Sequence, residues 1–260
     1  MNWNRSSKVV LALFVLLAAA VAPVAAVDVQ GNVSDSAEVG AQQDRTFTFT
    51  NLYTDYEEWT LHGQTDLTQV TWTVTAYDNA GNQIEQQTFT GQSFDYHIRA
   101  SDGTTKVTVR LQGTTPAVDD WSYQPPQSIV FAEFQQTQQG GSATVLQSYD
   151  GVRPYTQQSQ QARTQIQQAE AAIQNAQSAG ADVSEAKRLR QNAVEAYNSG
   201  NFDLAIDLAN QAEQKAESAA KSSKLTRWAL IGGAVVIVLL ALAGGVWYYL
   251  SNRETHDKLA

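Results

Sequence analysis

The chain of 260 residues carries a formal net charge of −9 and no cysteine. An acidic balance repels phosphate backbones and anionic lipid, so nucleic acid is excluded as a partner class and negatively charged surfaces are disfavoured. Without thiols there can be no disulfide, thiolate metal site, thiol nucleophile or acylated cysteine anchor, and any folded part must rest on core burial.

Taken in order, the chain opens with Arg5 and Lys8, an apolar run over 9–22, and Pro23-Val24-Ala25-Ala26-Val27. A basic start, an apolar stretch of about 14 residues and small residues at the boundary describe a secretory signal peptide over 1–26, cleaved between Ala26 and Val27. An uncleaved N-terminal anchor is the competing reading, and both place residues 28–226 on the outer side of a membrane. Asn32-Val33-Ser34 matches the N-glycosylation acceptor, so Asn32 is the candidate modified residue of a glycoprotein. Residues 28–226 hold 24 acidic and 12 basic side chains. Together with scarce lysine and abundant Asp, Gln and Thr, this composition is similar to that of secreted proteins of salt-loving archaea.

Residues 27–152 read as β. From Gln69 to Asp78 the chain alternates strictly, with Val70, Trp72, Val74 and Ala76 on one face, the period of a half-buried strand. Asp78-Asn79-Ala80-Gly81-Asn82 supplies residues that tolerate positive φ, and 84–90 returns as the hairpin partner. Further strands are expected at 46–52, 58–62, 94–99, 106–112, 129–135 and 143–148. Phe47, Phe49, Phe94, Tyr96, Ile98, Val107, Val109 and Leu111 are expected to point inward. Seven or eight short strands with polar turns predict a two-sheet β-sandwich. The stretch Val74-Thr75-Ala76-Tyr77-Asp78-Asn79-Ala80-Gly81-Asn82 resembles the hairpin of prokaryotic Ig-like and fibronectin-III-like domains. That resemblance implies adhesion or spacing, although fold does not decide function.

After Pro154, Ala, Gln and Glu take over, and 156–224 reads as a neck of three helices. Ala162, Ile166, Ala169, Ile173 and Ala176 recur at spacings of four and three, the seam of a packed helix. Gly180 ends that helix, and Asp182-Val183-Ser184-Glu185 reads as a capping box. Ala186, Leu189, Ala193 and Ala196 continue the rhythm to Gly200. Phe202, Ala205, Ala209, Ala212, Ala216 and Ala219 form the third seam. Short loops force neighbouring helices to run back along one another, predicting a small antiparallel three-helix bundle. The stretch Ala193-Val194-Glu195-Ala196-Tyr197-Asn198-Ser199-Gly200-Asn201-Phe202-Asp203-Leu204-Ala205-Ile206 resembles the helix–turn–helix of a tetratricopeptide repeat. It covers one repeat where solenoids need about three, so a structural neck is preferred to a peptide-binding groove.

The run from Trp228 to Leu250 lacks charge and, at 1.5 Å per residue, would exceed the roughly 30 Å core of a bilayer. With Trp228 at one end and Trp247, Tyr248 and Tyr249 at the other, it predicts one transmembrane helix over 226–250 and a cytoplasmic tail over 251–260. Lys215, Lys221, Lys224 and Arg227 before the run oppose this orientation, but that charge rule weakens for long exported domains.

Chemical motifs are sparse. His62, His97 and His256 are scattered, with His97 on the outward face of a strand. No Gly-x-Ser-x-Gly elbow, phosphate-cradling glycine loop or His-Glu-x-x-His pair occurs. Asp78, Asn79 and Asn82, with Asp119-Asp120 in another loop, offer oxygens for calcium but lack EF-hand spacing, and a plain turn explains them better. Trp59, Trp72 and Trp121 read as core or edge residues rather than sugar platforms. The sequence therefore predicts no catalytic residue, cofactor or metal. It predicts a non-enzymatic, single-pass cell-membrane protein with its N-terminal domain outside, presenting an Ig-like domain to a protein partner for adhesion, assembly or sensing. The alternative is an accessory subunit that binds a membrane complex through the neck and the transmembrane helix.

Overall fold

The computed structural model describes residues 26–138 and 141–223. They fall into two compact units. Of the described residues, one unit comprises those through Val118 together with those between Ser128 and Pro154, and the other comprises Asp119–Gln127 together with those from Tyr155 onward.

The first unit is built on the strands β1 (Asp28–Gln30), β2 (Ser36–Glu38), β3 (Gln42–Thr50), β4 (Glu58–Gln64), β5 (Thr68–Tyr77), β6 (Gln83–Thr90), β7 (Ser93–Arg99), β8 (Lys106–Thr114), β9 (Ala132–Thr137), β10 (Thr144–Tyr149) and β11 (Arg153–Tyr155). Five strands form a sheet in the order β1-β3-β8-β5-β6, four form a second in the order β10-β9-β4-β7, and β11 pairs with β2. Pairing within the two larger sheets is antiparallel throughout. The period-two pattern puts Phe47, Phe49, Trp72, Val74, Val109 and Leu111 of the first sheet into one core with Trp59, Leu61, Phe94, Ile98 and Phe134 of the second. Phe134 is the junction, its ring 4.8 Å from Phe47, 5.0 Å from Phe49 and 6.2 Å from Trp72. The residues expected to point inward are buried, and the two larger sheets are accompanied by a third, two-stranded one. The three-residue strands β1, β2 and β11 escape a periodicity reading because they are too short to show a period. β9 starts at Ala132 rather than 129, since Ile129 makes only an isolated bridge to Val152.

Gly63 on β4 lies opposite Phe94. A Cβ at this position would overlap the Phe94 ring, so the missing side chain is what lets that ring lie in the core. On the solvent side of the five-stranded sheet, Arg110 meets the Asp44 carboxylate through Nε (2.8 Å) and Nη2, and Gln112 adds a donor at 3.3 Å. These hydrogen bonds, led by that from Arg110, hold the Asp44 carboxyl below its ordinary range.

The second unit contains α1 (Gln157–Ser178), α2 (Ser184–Asn198) and a third helix, α3, from 202 through 223. All five predicted seam residues of α1 are buried, as are Ala205, Ala209, Ala212 and Ala216 of α3. Alanine along these seams lets the helix backbones approach closely. Gln165 of α1 donates to Glu213 of α3 (2.7 Å), and Lys215 of α3 pairs with Glu185 of α2 (3.2 Å). The capping box lies elsewhere than expected. Thr156 and Ser159 cap α1 reciprocally, whereas Asp182 accepts from the backbone and hydroxyl of Ser184 one residue ahead of the α2 cap, Val183.

Segment 119–127 belongs to the helical unit. Trp121 stands edge-on to Phe202 (4.9 Å), and Tyr123 edge-on to Tyr197 (5.6 Å). The Tyr123 backbone N–H donates to Asn198 Oδ1 (2.7 Å), and Arg163 Nη2 donates to the Tyr123 carbonyl (2.8 Å) with its guanidinium 4.5 Å over the ring. The stretch that resembles a tetratricopeptide repeat therefore buries its Tyr197 against aromatic residues of this chain.

One part of the expected fold class is corrected. Among the described residues no helix is long and apolar enough to cross a membrane. α1 has the length, but its outward positions carry Gln, Arg and Glu, and hydrocarbon would leave those groups unsolvated. The transmembrane helix, and with it the single-pass cell-membrane location, is not supported by any described element. The stretch 226–250 to which it was assigned lies outside the described residues, as do the tail 251–260 and signal residues 1–25.

Three outcomes are expected. Gly63→Ala should lower unfolding free energy by about 1–3 kcal/mol through overpacking against Phe94, read from denaturant melts. Tyr123→Ala should cost about 3 kcal/mol and lower the helical melting transition at 222 nm, although the residue lies outside every helix. Because the Asp44 pKa is depressed on folding, its contribution is complete above the unfolded value near 3.9 and lost as pH falls through the folded one. Asp44→Asn should therefore flatten the acid limb of the stability profile relative to the parent.

Candidate functional site

The outer face of the four-stranded sheet is a grid of polar side chains set by strand register. On β4 the outward residues are Glu58, Thr60, His62 and Gln64. Opposite them on β7 stand Arg99, His97, Asp95 and Ser93, and on the other flank β9 sets Thr137 beside Thr60, Gln135 beside His62, and Glu133 beside Gln64. Because β4 lies between two partners, three side chains meet in the rows of Thr60, His62 and Gln64, whereas Glu58 has a neighbour on β7 only.

The rows are hydrogen-bonded. Arg99 Nε donates to Glu58 Oε1 (2.7 Å), Thr60 Oγ1 lies 3.3 Å from His97 Nδ1, and His62 Nδ1 lies 2.8 Å from Asp95 Oδ1. Gln64 and Gln135 both donate to Glu133 Oε1, at 2.8 and 2.6 Å. The Glu58 carboxylate, through its hydrogen bond and its charge, pushes the Arg99 pKa above its ordinary value. At the Glu58–Arg99 end the surface sinks into a recess of about 640 Å³, lined by Glu58, Trp59, Thr60, His97, Arg99, Thr137 and Gln138.

The grid joins His62 and His97, which sequence reading left scattered, on one face, while His256 lies outside the described residues. Neither histidine belongs to a metal cluster, since among the described residues no group of three or more His, Cys, Asp or Glu could hold an ion. Asp78 is occupied by its own turn, accepting from Asn82 N (2.8 Å) and Asn82 Nδ2 (3.0 Å), and these bonds hold its carboxyl below the usual range. Asp119 and Asp120 open the segment that belongs to the helical unit. Trp59 and Trp72 are buried, their indole N–H groups bonded to the Leu52 carbonyl (2.8 Å) and the Gly91 carbonyl (3.0 Å), and Trp121 packs on Phe202. Asn32 is exposed between β1 and β2. Ala26 is exposed as well, and Val27, just past the expected cleavage point, is buried in the sandwich core.

Sequence reading missed the recess. Its residues come from three strands and the position just after the third, spread over some 80 positions, and apart from the buried Trp59 each alone looks like an ordinary solvent-facing residue. Alternation marked His97 as outward but could not say what stood beside it.

No family model matches the chain, and no curated protein matches it. Among solved structures, a DUF4466 family protein from Parabacteroides merdae aligns with 49% of this chain and 45% of its own, at 11% identity and a TM-score of 0.30. The alignment spans less than half of that structure's length, and a likeness this weak carries no argument about fold or function.

Proposed function

We propose that the chain is a non-enzymatic interaction protein, in which an Ig-like sandwich presents the outer face of its four-stranded sheet to a protein partner for adhesion, assembly or sensing. The Ig-like reading is supported by strand order. β1-β3-β8-β5 follows the A-B-E-D order and β10-β9-β4 the G-F-C order of immunoglobulin sandwiches, with β6 and β7 inserted between D and E. Trp59, buried on β4, takes the strand-C tryptophan position.

The observation that carries the proposal is the polar grid itself, a preorganised set of donors and acceptors held on a rigid central strand. A catalytic reading is less favoured by the same geometry. His62 and Asp95 form two members of a relay, but among the described residues no hydroxyl bonds the His62 ring. Thr60 touches His97 but lies mid-strand, where β7 and β9 both engage the β4 backbone and leave no pair of N–H groups to hold an oxyanion.

A photo-crosslinking side chain placed at Gln135 on this face, and separately at Thr108 on the outside of the five-stranded sheet, tests the proposal in native cells. The expected result is one defined protein adduct from position 135 and none from 108. Equal labelling from both, or none from either, overturns it. Adducts obtained only from probes on α1 or α3 support instead an accessory subunit that docks through its helices.

A further inference from the structure

The recess at the Glu58–Arg99 end holds donor groups that make no hydrogen bond among the described residues. Arg99 bonds Glu58 through Nε, its two η nitrogens make no hydrogen bond among the described residues, and the Arg99 side chain is 47% exposed. His97 uses Nδ1 toward Thr60, which leaves Nε2 unengaged. The hydroxyl of Thr137 and the side-chain amide of Gln138 line the same recess and make no hydrogen bond there among the described residues. Glu58 is the one carboxylate in the lining, and one of its oxygens is committed to Arg99.

We infer that this recess binds a carboxylate, held end-on by the two η nitrogens of Arg99, with His97 Nε2 beside it and Thr137 and Gln138 engaging adjoining hydroxyl or amide groups. A guanidinium edge with two parallel N–H donors matches the two oxygens of a carboxylate, a geometry that a lone ammonium cannot supply. Glu58 acts as a positioning residue, fixing the guanidinium so that its free edge faces the recess. The inference rests on the outer face being the binding surface and names the chemistry recognised there, which can come from an acidic sugar or from a peptide C-terminus.

The test uses the full chain and two-dimensional NMR titration with sodium glucuronate, with an acetylated tripeptide bearing a free C-terminus, and with the neutral analogues methyl glucoside and the tripeptide amide. Saturable shifts at His97 and Thr137 with at least one acidic probe, and none with its neutral analogue, are expected. Which acid binds identifies the source. Arg99→Gln should weaken binding by about tenfold or more through loss of charge-assisted hydrogen bonds, while Glu58→Gln, which keeps an oxygen to hold Arg99 Nε but removes the carboxylate charge, should change it by a smaller factor. Both residues are exposed, and amide dispersion confirms that each variant folds. Binding abolished by Glu58→Gln and kept by Arg99→Gln would mean a cationic ligand and overturn the inference, as would absence of shifts with both acids. In that last case crosslinking from position 135 still decides the broader proposal independently.

Discussion

The contact on which the structure depends is that of the Phe134 ring with Phe47, Phe49 and Trp72 across the two sheets. A chain with no cysteine has no covalent tie between its sheets, so their separation and alignment are fixed by how these rings interlock. Trp72 extends the contact to Phe94 at 5.0 Å, and Phe94 in turn relies on the bare backbone of Gly63. Close packing of this kind leaves little freedom for the strands to slide. A slip of one residue would turn every inward ring outward.

The outer grid follows from that constraint. Once Trp59, Leu61, Phe94 and Phe134 are fixed inward, the intervening residues of β4, β7 and β9 have nowhere to go but outward, in rows set by the ladder. The same register that buries the rings therefore places Arg99 beside Glu58 and His97 beside Thr60. A rigid polar surface is a consequence of a rigid core, and such a surface binds with little ordering cost.

The helical unit solves a different problem. Its seams are mostly alanine, which permits close helix approach but buries little apolar area per residue. Aromatic area is added by Trp121 and Tyr123, supplied by a segment that leaves the strands after β8 and returns before β9. Their rings cover Tyr197 and Phe202, and the polar atoms of the segment are met by Asn198 and Arg163. At the edge of the sandwich a comparable device operates. Tyr96 donates to Glu85 (3.0 Å), and burial together with that carboxylate pushes the phenol pKa up.

The sequence by itself determined the elements that carry a period. Alternation over 69–78 and 106–112 located β5 and β8 and named their inward residues, and the spacing of alanines located all three helices, because both patterns are local. It could not locate β1, β2 or β11, which are shorter than the period that would reveal them. It placed Asp182 as the cap of α2 one residue away from where the backbone turns, and missed the reciprocal Thr156–Ser159 pair. The membrane span expected from the apolar run after Trp228 finds no counterpart among the described helices. Only the tertiary structure decided which outward residues are neighbours, and that 119–127 serves the helices rather than the strands. Both depend on contacts between residues tens of positions apart, which hydrophobic pattern along the chain does not encode.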